Sequence, residues 1–464
     1  MFKEKIKNFH LIGIGGIGMS GIARILLQMG YKVSGSDIAE SPTIDELRNL
    51  GATIFIGHSE KNLSPETDVV VYSSAVSPDN PEIKEAKRRG IPVIPRGEML
   101  AELMRVKEGI AVSGSHGKTT TTSMLAHIFY KAEKDPTVII GGKLHLFEGS
   151  NARLGKSELL IAEADESDGS FLKLSPVVAV VTNIDREHLD FYGSYENIKN
   201  SFLEFIEKVP FYGFSVLNLD DEGVREIIPK TNRRVITYGI TSPADYVAKN
   251  IEKTISGYRF EVYKNFQRLG EIELNLPGRH NISNALAAIA LSVEAGIDFE
   301  TISLALKEFK NAQRRMSKLG EIEINGSKVI FFEDYAHHPR EIEAVLSAVR
   351  EFYLRYEIIP VFQPHRYTRT YFLWEDFKKV LSPFRGIITE IYPASEQPIP
   401  NITGYRLAKE CGHLYAENKE KLENHLKELL TKDKKPKVVV FLGAGSIGRW
   451  GREIFKRLKE EKSN

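Results

Sequence analysis

The chain has little of what would staple it together outside a cell or hold it in a membrane. Its 464 residues include one cysteine, Cys411. That excludes an intramolecular disulfide framework and fits a reducing compartment. A lone thiol of this kind reads as a small packed residue rather than a nucleophile. No uninterrupted apolar run reaches the roughly 18 residues of a membrane span. The basic N-terminus, Met1 to His10, precedes an apolar run as a signal peptide would, but Gly13, Gly15, Gly16 and Gly18 cut that run, which argues against export. Sixty-three basic residues against 62 acidic ones leave a net charge of +1. No global field therefore draws the chain to nucleic acid or to an anionic membrane. Short-period repeats and low-complexity tracts are missing too. What is left is a cytoplasmic globular protein.

Apolar residues make up 42% of the chain, enough for burial, and its length suggests two to four domains. Three blocks can be read, 1–107, 108–312 and 313–464. In the first, strands at Phe9–Ile14, Tyr31–Ser36, Asp68–Ser74 and Ile91–Ile94 alternate with helices at Gly18–Met29 and Pro81–Gly90. Continuous apolar strands separated by helices predict a parallel sheet covered on both faces. The second block has strands at Gly109–Val112, Leu159–Ala164 and Val177–Ile184, with helices at Thr121–Lys131 and Tyr195–Val209. From Tyr246 to Leu276 apolar and polar residues alternate, which predicts antiparallel strands with one wet face. Helices at Ser283–Ala295 and Phe299–Lys310 close this block. The third block alternates again, from strand Val329–Phe332 to a closing helix that ends near Glu460, with one helix read at Tyr371–Leu381.

The most informative stretch is Gly114-Ser115-His116-Gly117-Lys118-Thr119-Thr120. A glycine-rich turn between a strand and a helix aims backbone N–H groups at one spot, which suits a phosphate. Lys118 can reach the β- and γ-phosphates, and the hydroxyl of Thr119 or Thr120 can ligate magnesium. The spacing departs from the usual Walker A pattern, because Val112 stands where the first glycine belongs. Gly13-Ile14-Gly15-Gly16-Ile17-Gly18 matches G-x-G-x-x-G after a strand, with Asp37 ending the next strand. That pattern serves NAD or FAD, or another nucleotide diphosphate such as a UDP-sugar. A second match, Gly443 to Gly448, has no acidic strand end after it and reads as close helix–strand packing.

Glu163-Ala164-Asp165-Glu166-Ser167-Asp168 puts four carboxylates at the end of an apolar strand, where magnesium could find an oxygen ligand. Asn183 and His188 open onto the same edge from the next strand, and His188 is a candidate metal or phosphate ligand. Asp334-Tyr335-Ala336-His337-His338-Pro339 and His365-Arg366-Tyr367-Thr368-Arg369 follow strands of the third block. The two arginines could hold a carboxylate bidentately, or simply form a basic helix entry. Asn281, after Gly278-Arg279-His280, is a candidate helix cap.

Together these motifs resemble the Mur ligases, and the resemblance runs nearly end to end. It rests on GIGGIGMSGIA (13–23), GSHGKTTTT (114–122), EADESDGSFL (163–172), TNID (182–185) with EHLD (187–190), LPGRHNISNALAAIA (276–290), DYAHHP (334–339) and HRYTRT (365–370). HRYTRT stands where the diaminopimelate-adding branch carries a D-N-P-R type motif, and SDGSFL favours alanine addition over recycling of a murein tripeptide.

The resemblance implies an α/β chain of three domains. These are a Rossmann-like N-terminal domain for the UDP-sugar (1–107), a P-loop ATPase-like central domain with a parallel sheet plus a smaller antiparallel sheet (108–312), and a Rossmann-like C-terminal domain for the amino acid (313–464). The implied reaction is ATP-dependent joining of L-alanine to the lactyl carboxylate of UDP-N-acetylmuramate through an acyl phosphate. A murein-tripeptide ligase and a nicotinamide-dependent oxidoreductase are the alternatives.

The implied ATP site is Gly114, Ser115, His116, Gly117, Lys118, Thr119 and Thr120 with His280, Asn284, Arg314 or Arg315, and Asp334. Thr119, Glu163 and His188 would hold magnesium or manganese. Gly15, Gly16, Ile17, Gly18, Asp37, Ser73 and Ser74 would take the UDP-sugar, and Tyr335, His337, His365, Arg366 and Arg369 the amino acid. Family members often have Thr at the position of Ser115 and Asp at that of Ser446, so the role of Ser446 stays open. The chain offers no candidate for the carbamylated lysine found in several relatives. Nucleic-acid and membrane partners are not expected, and the chain reads as a monomer or weak homodimer. Three sites on separate blocks imply domain closure around a water-sensitive acyl phosphate.

Overall fold

Short runs of Val, Ile and Leu that are apolar on both faces are stable only inside a parallel sheet with helices on each side. The computed structural model, which describes residues 5–147, 149–394 and 396–463, arranges such runs in three sheets. The first contains β1 (Asn8–Ile12), β2 (Lys32–Asp37), β3 (Thr53–Ile56), β4 (Val69–Tyr72) and β5 (Val93–Pro95), in the order β3-β2-β1-β4-β5. All its pairings are parallel. The chain reverses direction of travel across the sheet between β1 and β4, so the crevice outside their C-terminal ends is the usual ligand position in such a sheet. The Gly13–Gly16 turn follows β1, and Ser73 and Ser74 follow β4.

The second sheet holds β6 (Glu108–Ser113), β7 (Thr137–Leu144), β8 (Ser150–Arg153), β9 (Leu159–Glu163), β10 (Val178–Val181), β11 (Phe214–Asn218) and β12 (Val235–Gly239). It continues through β13 (Tyr246–Lys253), β14 (Tyr258–Lys264) and β15 (Gln267–Leu274) to make ten strands. The alternating segment thus extends the parallel sheet instead of standing apart, because Tyr238 and Gly239 of β12 pair with Tyr246 and Val247 of β13. A two-residue turn, Asn265 (φ 46°) and Phe266 (φ 70°), reverses the chain between β14 and β15. Strand β6 lies between β10 and β9, all parallel, which brings the loops after these three strands to one edge.

The third sheet is β16 (Ser317–Ile324), β17 (Ser327–Asp334), β18 (Glu357–Phe362), β19 (Ile387–Thr389), β20 (Leu414–Ala416) and β21 (Lys437–Leu442), ordered β16-β17-β21-β18-β19-β20. Only the edge hairpin β16–β17 is antiparallel, turning at Asn325 and Gly326, both with positive φ.

The described chain forms two compact units. One comprises 1–252, 259–274 and 283–312, and the other 253–258, 275–282 and 313–464. In the first, a single apolar cluster runs from Leu11 and Ile22 of the first sheet's layer to Ala162 and Phe202 of the second's. In the second unit the two faces of the third sheet carry separate clusters, one around Phe332 and Phe377, the other around Phe331 and Leu426. Cys411 is buried in the former, and burial pushes its thiol up to about 11.

Two helices begin earlier than the sequence pattern indicates. Lys118–Lys131 starts straight from Gly117 (φ 82°). Arg279–Glu294 places Asn281 in its first turn, where its side chain donates to Pro277 O (2.7 Å) instead of capping. The helix read at Tyr371–Leu381 is two, Tyr367–Phe372 and Trp374–Leu381. Among the described residues no helix is long and apolar enough to cross a membrane.

Candidate active site

In the first unit the loop after β6 is shaped by two glycines. Gly114 (φ 130°) and Gly117 (φ 82°) adopt backbone that side chains rarely reach. A Cβ on either would collide, with Thr182 at Gly114 and with Asn284 at Gly117. The loop is clamped from β10's exit. Asn183 Oδ1 accepts His116 N–H (2.8 Å) while its Nδ2 donates to His116 O (2.9 Å). Ser115 Oγ accepts Asp185 N–H (2.8 Å), and His116 Nε2 lies 3.0 Å from Asp185 Oδ2. The helix start at Lys118 has no side-chain cap, and Thr119 and Thr120 are buried in its first turn. Uncapped N–H groups beside positive-φ glycines form an anion cradle.

Lys118 Nζ donates to Gly114 O (2.6 Å), Ser115 O (3.1 Å) and Glu166 Oε1 (3.0 Å). Burial opposes its charge, but Glu166, Asp165 and Glu163 outweigh that and raise its pKa. Burial likewise pushes Glu166 up to about 8 against the pull of Lys118. At β9's end, Thr119 Oγ1 donates to Glu163 (3.0 Å to Oε2), and Gly141 N–H holds the same oxygen (2.8 Å). His188, in left-handed backbone (φ 54°), brings Nε2 to 4.0 Å from Glu166 and 3.9 Å from Glu187. One atom from each of these three residues lies within 4.8 Å of the others. Of the three predicted metal residues, Thr119 and Glu163 stand together, while His188 stands with Glu166 and Glu187, which the sequence reading had not assigned to a metal. Both groups are rich in oxygen and fit a hard divalent cation.

The first glycine turn sits on the neighbouring sheet of the same unit. Gly13 and Ile14 N–H groups both donate to Ser36 O. Asp37 Oδ2 accepts Gly15 N–H (2.8 Å) and Oδ1 accepts Ile38 N–H (2.8 Å), so Asp37 braces the turn. The helix Ile17–Gln28 begins without a side-chain cap. Ile17 O accepts from Asn151 of the second sheet. Ser73 and Ser74 lie at the end of β4, with Ser74 exposed. Below the turn, Ser36 Oγ donates to the fully buried Glu82 (2.6 Å), which also meets His10 (3.3 Å).

The second unit holds the remaining predicted residues. Arg314 (φ 61°) donates to Gly443 O (2.7 Å) and lies over the Tyr335 ring (4.8 Å). Arg315 also faces that ring (5.4 Å), 3.9 Å from Glu341. Asp334 accepts N–H groups from Met316 and Ala336 (2.7 Å each), strapping the linker to the end of β17, and burial pushes its pKa up to about 6. Burial, with Arg315, pushes His280 down to about 4. His365 stacks on Tyr392 (5.4 Å, 8°), 5.8 Å from His337. Burial, then His337 and Arg369, push His365 down to about 3. Arg369 donates to His365 O (3.2 Å), and Arg366 sits 3.7 Å from Glu396. His337, His365, Arg366 and Arg369 therefore cluster at the ends of β17 and β18, with Tyr335 in edge contact with His337 (5.2 Å). His338 caps the helix Pro339–Phe352.

Three family models match in sequence. Mur ligase family, catalytic domain, covers 8–108, Mur ligase middle domain 112–292, and Mur ligase, glutamate ligase domain, 314–445. The chain is 54% identical over its whole length to a UDP-N-acetylmuramate–L-alanine ligase of Aquifex aeolicus, covering all of that protein. The chain belongs to the Mur ligase family. It is 53% identical to a relative of the same name from Hydrogenobaculum sp., across 98% of this chain and 100% of that one. A crystal structure of a UDP-N-acetylmuramate–alanine ligase from Thermotoga maritima is similar, with a TM-score of 0.82 and 30% identity, over 98% of this chain and 99% of that one.

Sequence reasoning left Glu187, Asp185 and Arg96 out of the site and gave Glu166 and Asn183 no role. Glu166 lay in view within the acidic run. Asn183 and Asp185 lay in the TNID motif, and Glu187 in EHLD, just beyond an apolar strand, but neither motif says which partner each side chain takes. Arg96, which pairs with Asp165 (3.1 Å), has no local signature, since the two are 69 positions apart.

Proposed function

We propose that this Mur ligase joins L-alanine to the lactyl carboxylate of UDP-N-acetylmuramate, consuming ATP and releasing ADP and phosphate, in peptidoglycan precursor synthesis in the cytoplasm. The observation that carries this reading is the full-length 54% identity to a relative named for that reaction. The site's chemistry supports it. A carboxylate does not condense with an amine at neutral pH because it has no leaving group. Transfer of the γ-phosphoryl group to one carboxylate oxygen supplies that group and releases ADP. The neutral amine of alanine then attacks the carbonyl carbon. The tetrahedral intermediate loses a proton from nitrogen and expels phosphate, which keeps the former carboxylate oxygen. Little covalent work falls to the protein, so catalysis is positioning and charge neutralisation.

We assign Lys118 and the Gly114–Thr120 backbone to the β- and γ-phosphates. Lys118 exchanges part of its hold on Glu166 for the nucleotide. Thr119 with Glu163, and His188 with Glu166 and Glu187, would hold magnesium, which when bound offsets the charge of the triphosphate and carboxylate. Asn284 adjoins the loop. We assign Arg314 or Arg315 to the nucleotide, with His280 and Asp334. Gly15–Gly18, Asp37, Ser73 and Ser74 take the sugar nucleotide at the β1/β4 crevice. His337, His365, Arg366 and Arg369, beside Tyr335, take the amino acid, the guanidinium pair suiting its carboxylate. The three domains, 1–107, 108–312 and 313–464, divide the substrates accordingly, in a monomer or weak homodimer.

Phosphate release from ATP and magnesium tests the reading. Release is expected only with UDP-N-acetylmuramate and L-alanine together, and not with UDP-N-acetylglucosamine, which lacks the lactyl carboxylate. Release that requires a murein tripeptide instead of alanine, or none with any amine, overturns it.

A further inference from the structure

Three consecutive residues at the start of the helix Arg96–Met104 reach from the first sheet's layer to the segment after β9. Arg96 Nη2 donates to Asp165 Oδ2 (3.1 Å), a pair in which the arginine side chain is 17% exposed. Gly97 passes so close to Ser170 that a Cβ would collide, and Glu98 pairs with Lys173 (2.8 Å). On its other side, Arg96 lies against the glycine turn. A Cβ on Gly18 would sit 2.8 Å from Arg96 Cδ and 3.0 Å from Nη1, so the third glycine of the motif is what lets the guanidinium lie there.

Asp165 is flanked by the residues that meet the phosphate loop. Glu163, two before it, holds Thr119, and Glu166, one after it, holds Lys118. Glu163 ends β9, whereas Asp165 and Glu166 lie in the segment 164–169, which belongs to no strand or helix, so their side-chain contacts help to set where these two carboxylates stand.

We propose that Arg96 is a positioning residue that acts through Asp165, fixing the sugar-nucleotide turn relative to the phosphate loop so that the sugar's carboxylate meets the γ-phosphate. This rests on the reading given under Proposed function. A reacting pair displaced by about 1 Å loses about 100-fold in rate while each substrate still binds. Arg96 contributes to the rate step in this way and leaves affinity to other residues.

The test is a double-mutant cycle on the full-length enzyme with Arg96→Ala, Asp165→Asn and both, plus Arg96→Lys. Turnover is followed by phosphate release, and binding of UDP-N-acetylmuramate and of ATP, each alone, by calorimetry. The expected result is kcat lowered about 10- to 100-fold in either single variant and no further in the double variant. Both dissociation constants stay within about twofold, and Arg96→Lys, which keeps a cation for Asp165, recovers much of kcat. Effects that multiply in the double variant would show that Arg96 does not act through Asp165. A kcat within about twofold of wild type, or a loss seen only as weaker binding of one nucleotide, also overturns the proposal. A variant that fails to fold leaves Arg96→Lys and Asp165→Asn to decide. Failure of the wild-type enzyme to turn over with both substrates would instead strike the function on which the proposal stands.

Discussion

Two turns in this protein carry the same G-x-G-x-x-G pattern, and the structure uses them differently. After β1, the turn Gly13–Gly18 opens the helix Ile17–Gln28 without a side-chain cap, and its glycines give room to Asp37 and Arg96. After β21, the turn Gly443–Gly448 is filled by its own unit. Gln363 Oε1 accepts Ile447 N–H (3.1 Å) at the helix start, and Gln363 Nε2 donates to Ser446 (3.1 Å). Arg314 takes Gly443 O. A Cβ on Gly445 would come within 2.5 Å of Gln363 and 2.7 Å of Tyr392, and one on Gly451 within 2.6 Å of Phe441. Glycine spacing alone therefore marks a close approach without saying what approaches. An uncapped helix N-terminus favours an anion. One whose N–H is taken by a glutamine, as at Ile447, is already closed by its own unit. Ser446, where relatives often carry Asp, is part of that closure.

The largest effect belongs to the third glycine turn, the phosphate loop, which shares the uncapped start. Lys118→Ala is expected to lower kcat about a thousandfold or more, while calorimetry shows UDP-N-acetylmuramate binding retained; turnover near wild type would break the grouping of this loop with the anion-binding turns. Next in size is the contrast between alanine substitutions in the two matched turns. Gly15→Ala sets a Cβ 2.9 Å from Asp37. It should weaken sugar-nucleotide binding about tenfold with ATP affinity within twofold. Gly445→Ala should instead lower stability by about 1–3 kcal/mol, read as a reduced melting temperature, with both nucleotide affinities unchanged. Equal loss of sugar-nucleotide binding in both would erase the distinction. Smaller again, Glu163→Gln should raise the magnesium concentration needed for half-maximal rate, with sugar-nucleotide affinity unaffected; an unchanged metal requirement would remove Glu163 from the site.

How much of this was legible beforehand depended on range. Strands that are apolar throughout, such as Val438–Phe441, and glycine turns stand out because their signal is local. Thr53–Ile56 and Ser150–Arg153 escaped notice because they are short and one is polar. The phosphate loop and the carboxylates of β9 could be paired from sequence because both end apolar strands. Asp185 on His116 and Arg96 on Asp165 could not, since each pairing is made by sheet order and sequence separation hides it. The assignment of Asn281 as a cap failed because Gly278 (φ 93°) starts the helix earlier.

The smallest predicted effect lies near the filled turn and concerns protons. His365 and His280 are pushed down to about 3 and about 4, chiefly by burial. The unfolded chain binds protons at both below about pH 6.5 while the folded chain does not, so their stability is present above that value and is lost as the pH falls. Asp334, raised to about 6, has the opposite sign and offsets part of this loss on acidification below about pH 6. His365→Phe keeps a ring against Tyr392 without the proton site. It should reduce the destabilisation between about pH 7 and pH 5 by on the order of 1 kcal/mol, measured by denaturant titration at each pH. The same fall as in wild type would contradict this.

The central claim, that a sugar-nucleotide carboxylate is phosphorylated and then captured by alanine, has a direct test in the oxygen it transfers. UDP-N-acetylmuramate labelled with oxygen-18 in the lactyl carboxylate is incubated with ATP, magnesium, L-alanine and enzyme, and the released phosphate is examined by mass spectrometry. The account predicts one labelled oxygen in each phosphate, together with a product heavier by one alanine residue. Unlabelled phosphate would mean that water, not the carboxylate, had received the phosphoryl group, and the ligase mechanism would be wrong.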